Sequence, residues 1–140
     1  MYAKKMKYTD FNGNEREETF YFHLTEADLT KWNFEKPGGL EAHLNRIMEE
    51  QDPNKLIVLF DELISRSYGV KDLDGRGFVK TPEELAKFKS TQAYSDLYIQ
   101  LATDANAAAE FVRKVIPKGL AQKLAAMEAS GEISPIRPVQ

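Results

Sequence analysis

Residues 2–24 have the sequence YAKKMKYTDFNGNEREETFYFHL, in which two runs of strand-favouring residues flank a polar turn. The pair Asn12-Gly13 tolerates the positive φ angles of a type I′ turn, and this is the strongest local signal for a β-hairpin. A two-residue loop at this pair would place Lys7 opposite Glu18. We therefore predict a β-hairpin over residues 2–24 in that register.

Both faces of the predicted hairpin carry apolar or aromatic side chains. In the predicted register, Met6 and Tyr8 share one face with Thr19 and Tyr21. A two-stranded hairpin alone is only marginally stable in water, so one face must pack on helices. The other face is then available to a partner.

The chain beyond Leu24 has the apolar spacing of amphipathic helices. Capping residues begin several segments, among them Thr25, Asp52-Pro53 and Thr81-Pro82, because a side-chain oxygen there satisfies free backbone N–H groups. Pro117 ends one of the later segments. The predicted helices cover residues 26–32, 40–51, 53–68, 82–89, 91–101, 104–116 and 119–129.

The composition is that of one packed domain. The chain has 140 residues, of which 42% are hydrophobic and 29% charged, close to the average for folded proteins. We predict an α+β fold in which an N-terminal β-hairpin packs on a mostly α-helical single domain, with the helix at 53–68 in its centre. The domain is predicted to cover residues 1–133, with the hairpin at 2–24, the helices within 25–130, and a flexible C-terminal tail at 134–140.

The charge balance argues against nucleic acid as a partner. Lysine and arginine number 19 and aspartate and glutamate 22, which gives a net charge of −3. The lysines within residues 4–7 do not change this expectation, because the hairpin brings the glutamates of residues 15–18 beside them.

The sequence also predicts a protein of the reducing cytoplasm. It has no cysteine, and therefore no disulfide framework. No stretch approaches the ~20 apolar residues of a membrane span, and residues 1–5 lack the apolar core of a signal peptide. We expect no membrane association.

Residues 70–80 form the longest predicted internal loop, and part of it matches the spacing of a calcium-binding EF-hand. Asp72, Asp74 and Glu83 fall at positions one, three and twelve of such a loop. Arg76 and Lys80 stand at positions five and nine, so two cations would oppose Ca²⁺. We therefore predict no metal site here and interpret the segment as an acidic turn followed by a helix cap.

No residue pattern indicates catalysis. His23 and His43, the two histidines, lie on different predicted elements without the spacing of zinc ligands. Serines and threonines fall mostly at predicted helix caps, and the sequence contains no nucleophile elbow or phosphate-binding glycine loop. We predict a protein that is not an enzyme and uses no cofactor.

Several segments together resemble a known protein family. They are YTDFNGNER at residues 8–16, ETFYFHLT at 18–25, SYGVK at 67–71, DGRGFVK at 74–80, FKSTQAY at 88–94 and LATDA at 101–105. In this combination the chain resembles the tail assembly chaperones encoded in the tail modules of long-tailed bacteriophages (siphoviruses) and prophages. The resemblance runs from about residue 2 to residue 117.

The resemblance implies a mostly helical adaptor in the cytoplasm of the host bacterium. Such an adaptor binds the long tape measure protein, keeps it in solution, and leaves as tail-tube proteins polymerise around it. Self-association into a homo-oligomer is compatible with this role. A structural virion protein, such as a tail-completion or connector component, is the alternative function, and a small phage-encoded hydrolase is a third.

The hairpin supplies the candidate partner-binding residues under this interpretation. They are Tyr2, Met6, Tyr8 and Tyr21. Aromatic and methionine side chains suit adaptable apolar contacts with a partner that must later be released. Packing of the same side chains beneath the helices is the alternative interpretation.

Overall fold

The computed structural model describes residues 1–50 and 52–115. These residues form an antiparallel sheet with helices packed on one face, so the predicted α+β class is confirmed. The predicted helix at 119–129 and the predicted tail at 134–140 lie outside the described residues. The elements are β1 (Tyr2–Thr9), β2 (Glu15–Phe22), α1 (Glu26–Glu35), α2 (Leu40–Glu50), α3 (Pro53–Ser67), β3 (Tyr68–Lys71), β4 (Phe78–Val79), α4 (Pro82–Lys89), α5 (Gln92–Thr103) and α6 (Ala105–Val115).

The sheet extends beyond the predicted hairpin. Its strand order is β1-β2-β3-β4, and β3 pairs with β2 through Gly69 opposite Tyr21. β4 returns beside β3, with Phe78 opposite Lys71. A Cβ atom at Gly69 would lie 2.7 Å from Cε2 of Phe78, so glycine lets this ring lie directly over the strand. The segment after α3 therefore forms a second hairpin.

The predicted register of the first hairpin is wrong by one residue. Lys7 lies opposite Glu17 rather than Glu18, because the loop has three residues instead of two. The Asp10 N–H donates to the Asn14 carbonyl (2.9 Å), and the Gly13 N–H donates to the Asp10 carbonyl (3.0 Å). This is the three-residue connection in which a glycine at positive φ follows a turn.

The shifted register also changes which side chains share a face. Tyr2, Met6 and Tyr8 lie on the inner face with Phe20 and Phe22, whereas Tyr21 lies on the outer face. The predicted grouping of Met6 and Tyr8 with Tyr21 is therefore wrong. A single residue of register exchanges the faces because side chains alternate along a strand.

The inner face of the sheet is covered by an aromatic core. The Phe22 ring lies 5.1 Å from that of Phe111 on α6 and 5.8 Å from that of Phe88 on α4. Tyr68 stacks on Phe88 with ring centroids 4.3 Å apart. The helix predicted at the centre, α3, adds four buried side chains to this core. They are Leu59, Phe60, Leu63 and Ile64.

Candidate partner-binding surface

Three of the four candidate hairpin residues pack inwards. Met6 is only 7% exposed and belongs to the hydrophobic core. The Tyr2 ring meets Phe111 edge-on with centroids 5.7 Å apart, and Tyr8 is half-buried against Phe20. The surface position expected for Met6 is thus wrong, because the shifted register turns this side chain toward the helices.

Tyr8 is held in place by a hydrogen bond at its hydroxyl. The hydroxyl donates to Oε1 of Glu18 at 2.6 Å. This bond, together with burial and the nearby negative charge, raises the pKa of Tyr8 to about 12. The hydroxyl of Tyr8 on β1 is thus linked to the carboxylate of Glu18 on β2.

Tyr21 is the candidate that reaches the outer face of the sheet. It is half-buried, and Nζ of Lys71 lies 4.8 Å from its ring centroid. Further along the same face, the carboxylate of Glu17 forms ion pairs with Nζ of Lys5 (2.6 Å) and of Lys7 (3.6 Å), so the predicted ladder of opposite charges is present. Tyr21 is therefore flanked by a lysine, on the face of the sheet that also carries the charge ladder.

Exposed apolar side chains occur at other places that the sequence interpretation did not select. Phe11 lies at the turn of the first hairpin and is 79% exposed, and Leu73 lies in the loop of the second hairpin and is fully exposed. Phe34, 82% exposed, lies near the end of α1. Ile57 and Val58 on α3 and Ile99 on α5 are also exposed.

The two exposed turn residues share a local sequence. The turns are Asp10-Phe11-Asn12-Gly13 and Asp72-Leu73-Asp74-Gly75, each with an apolar residue after aspartate and a glycine in the fourth position. Glycine has a φ of 83° in the first and 77° in the second. This shared pattern is the signal that would have identified both residues from sequence.

The predicted acidic turn at residues 72–77 is also present, flanked by strands rather than by helices. The Asp72 N–H donates to the Gly77 carbonyl and the Gly75 N–H donates to the Asp72 carbonyl, both at 2.9 Å. Glu83, the third candidate ligand, lies in the first turn of α4. Within residues 1–50 and 52–115, the structure contains no group of three or more His, Cys, Asp or Glu side chains that could hold a metal ion.

Lys80, the cation at position nine of the calcium-like spacing, has a structural role. Its Nζ donates to the carbonyl of His23 (2.6 Å), to Oδ2 of Asp28 (2.9 Å) and to the carbonyl of Arg66 (2.9 Å). These acceptors lie after β2, on α1 and near the end of α3. A single ammonium group, located between β4 and α4, therefore connects the residue after β2 with α1 and with the end of α3.

Several further titratable groups of the described residues have structural partners or partly buried surroundings. The Tyr94 hydroxyl donates to Asp61, and Lys89 pairs with the same carboxylate at 3.2 Å, which connects α4 and α5 to α3. Burial, followed by this hydrogen bond, raises the pKa of Tyr94. Burial likewise lowers the pKa of both His23 and His43, which favours their neutral forms.

No helix within the described part of the chain is long and apolar enough to cross a membrane.

Comparison with known proteins identifies a family. The sequence model of a family described as phage tail assembly chaperone matches residues 1–136. No curated protein and no solved structure matches the chain.

Proposed function

The chain belongs to the phage tail assembly chaperone family, and we propose that within tail assembly it binds the tape measure protein and keeps it in solution. The main support for this proposal is family membership, because the family's sequence model matches almost the whole chain. A chaperone of this kind acts by binding, without catalysis. Its proposed place of action is the cytoplasm of the host bacterium.

The surface of the protein supports transient apolar binding. Exposed apolar side chains occur at both turns, where Phe11 is 79% exposed and Leu73 is fully exposed, and on α3 and α5. Separate small contacts of this type can be made and broken more easily than one large apolar interface. This suits a client that must be released when tail-tube proteins assemble around it.

The four candidate hairpin residues have different roles in this proposal. They are Tyr2, Met6, Tyr8 and Tyr21. The first three support the binding surface from beneath, since they fix the hairpin on the helices. Tyr21 offers a half-buried aromatic ring on the outer face. Direct client contact by this hairpin is proposed for its outer face and its turn.

Co-expression with the tape measure protein of the same phage tests the function. We expect a tagged copy of this chain to keep the tape measure protein in the soluble fraction and to co-purify with it. Mass spectrometry of purified particles should then show tail proteins without stoichiometric amounts of this chain. Recovery in every mature particle would instead support the alternative, a tail-completion or connector component.

A further inference from the structure

The two similar turns are rigid platforms for their apolar residues. In the first turn, Oδ1 of Asp10 accepts the N–H groups of Asn12 and Asn14, both at 2.9 Å. Oδ2 of the same carboxylate accepts Nε of Arg16 at 2.6 Å. In the second, Oδ1 of Asp74 accepts the Arg76 N–H at 3.1 Å. Little backbone entropy is therefore left to lose when a partner binds.

Neither apolar residue supports the fold. Phe11 and Leu73 are outside the hydrophobic core, and the second position of such a turn accepts most residue types. A polar residue would satisfy the same geometry and avoid exposing a large apolar side chain to water. Their presence is consequently unexplained by stability.

The sheet topology brings the two turns to the same end of the molecule. In an antiparallel order β1-β2-β3-β4, the first and third connections lie at one end. Phe11 and Leu73 each follow the last residue of their strand by two positions. Extending the observed β2–β3 register, in which Gly69 faces Tyr21, places Lys71 level with Thr19.

This register sets the spacing between the two apolar side chains. The turns differ by four residues along the strand direction, which is roughly 14 Å, and by two strand spacings across the sheet, which is roughly 10 Å. Their separation is then about 17 Å. An α-helix rises this distance in about 11 residues, or three turns. Two residues separated by three full turns lie on the same face of the helix.

Acidic side chains lie beside both apolar residues. Leu73 stands between Asp72 and Asp74, with Lys71 and Arg76 at the outer positions of the same loop; Glu15 follows the first turn, in which Arg16 is paired with Asp10. The carboxylates of Asp72, Asp74 and Glu15 have no ion pair with another of the described residues. A basic side chain next to an apolar one would be attracted here.

We propose that Phe11 and Leu73 together bind one amphipathic helix of the client, with apolar residues about three turns apart and with lysine or arginine beside them. This proposal rests on the proposed function, and it names the surface and the kind of client segment. Two contacts on a single helix also give a reversible attachment, because each contact alone is weak.

The test compares matched serine variants of the full chain. Phe11→Ser and Leu73→Ser remove the two apolar groups, and Phe34→Ser removes an equally exposed phenylalanine on α1. Binding is measured by fluorescence anisotropy with labelled helical peptides from the tape measure protein, and by co-purification of that protein. Circular dichroism should show unchanged folding and thermal midpoints for all three variants.

We expect each turn variant to weaken binding about tenfold, whereas Phe34→Ser binds like the wild type. Added salt should weaken wild-type binding as well, because exposed charges are screened. Equal binding by the wild type and the Phe11→Ser/Leu73→Ser double variant would overturn this inference and leave the proposed function standing. Absence of wild-type binding would overturn both.

Self-association gives a further discriminating result. If the two turns instead contacted a second copy of this chain, the double variant would change the sedimentation of the protein alone. We expect identical sedimentation of the wild type and the double variant, and a difference would overturn the assignment to the client.

Discussion

Lys80→Met is the substitution that should damage this fold most through a single polar group. The side chain of Lys80 is 23% exposed, and its ammonium group donates three hydrogen bonds, to the carbonyls of His23 and Arg66 and to the carboxylate of Asp28. Methionine keeps the length of the apolar stem but donates nothing. All three acceptors would then depend on water that reaches them only partly.

The expected magnitude follows from those three bonds. Each is worth about 1 kcal/mol net, and more where both partners are charged and shielded from water. Because the site is partly open to solvent, we expect Lys80→Met to lower the free energy of unfolding by about 3 kcal/mol. For a chain of this size that corresponds to a fall in Tm of roughly 10 °C.

Urea unfolding monitored by circular dichroism measures this loss. Lys87→Met is the matched control, since the Lys87 side chain is 76% exposed and lies 3.7 Å from Glu84. Its loss should change the free energy of unfolding by less than about 0.5 kcal/mol. If Lys80→Met unfolds at the same urea concentration as the control, the assignment of Lys80 as a structural tether is refuted.

The same interaction should depend on pH in a defined direction. Burial raises the pKa of Asp28, but the hydrogen bonds from Lys80 and Thr25 outweigh this effect and lower it overall. A lowered carboxylate pKa stabilises the native state above the unfolded pKa, and this stability disappears as the pH falls through the folded value. In the Lys80→Met variant, the free energy of unfolding should therefore fall less steeply as the pH is lowered through the acid range.

Three further predictions concern single side chains. Gly69→Ala should lower the free energy of unfolding by about 1–3 kcal/mol, because the added Cβ would lie 2.7 Å from the Phe78 ring. Urea unfolding measures this loss. An unchanged unfolding midpoint would contradict the close contact. Burial lowers the pKa of His23, so the unfolded chain takes up a proton first and stability should fall from ~pH 7 to ~pH 5. A His23→Gln variant should show a shallower slope across that range, and an identical slope would exclude His23 as a cause. Ultraviolet titration should find the phenol of Tyr8 with a pKa of about 12; Glu18→Gln should move it toward the ordinary value, and no movement would argue against their hydrogen bond.

The helix starts could be predicted because they depend on neighbouring residues alone. Thr25, Asp52 and Thr81 each accept a backbone N–H of the helix that follows, as the capping pattern indicates. At Thr25 the side chain of Asp28 completes the reciprocal pair. Such interactions span three residues or fewer and are visible in the sequence.

The register of the first hairpin could not be predicted from its turn motif. Asn12-Gly13 is compatible with loops of two and of three residues. Asp10 favours the three-residue loop, because its carboxylate accepts hydrogen bonds from two turn N–H groups and from Arg16. This arrangement is a property of the folded turn, and it decides which face Tyr21 occupies.

The second hairpin and the tether at Lys80 depend on contacts distant in sequence. Lys80 binds a carbonyl 57 residues away, and Gly69 matters only because Phe78 returns over it. Neither relation has a local signal. The same is true of the shared end of the sheet at which Phe11 and Leu73 lie, since the sequence shows two similar turns but not their proximity.

Among the residues that the structure describes, β1 has a neighbouring strand on one side only, which has a consequence for the protein's behaviour at high concentration. β1 is the outermost strand of the sheet, and its eight residues include Lys4, Lys5 and Lys7. A second copy aligning there would confront these ammonium groups with its own, and such repulsion discourages edge-to-edge growth. Stacking of copies of this chain into fibres along β1 is thereby disfavoured.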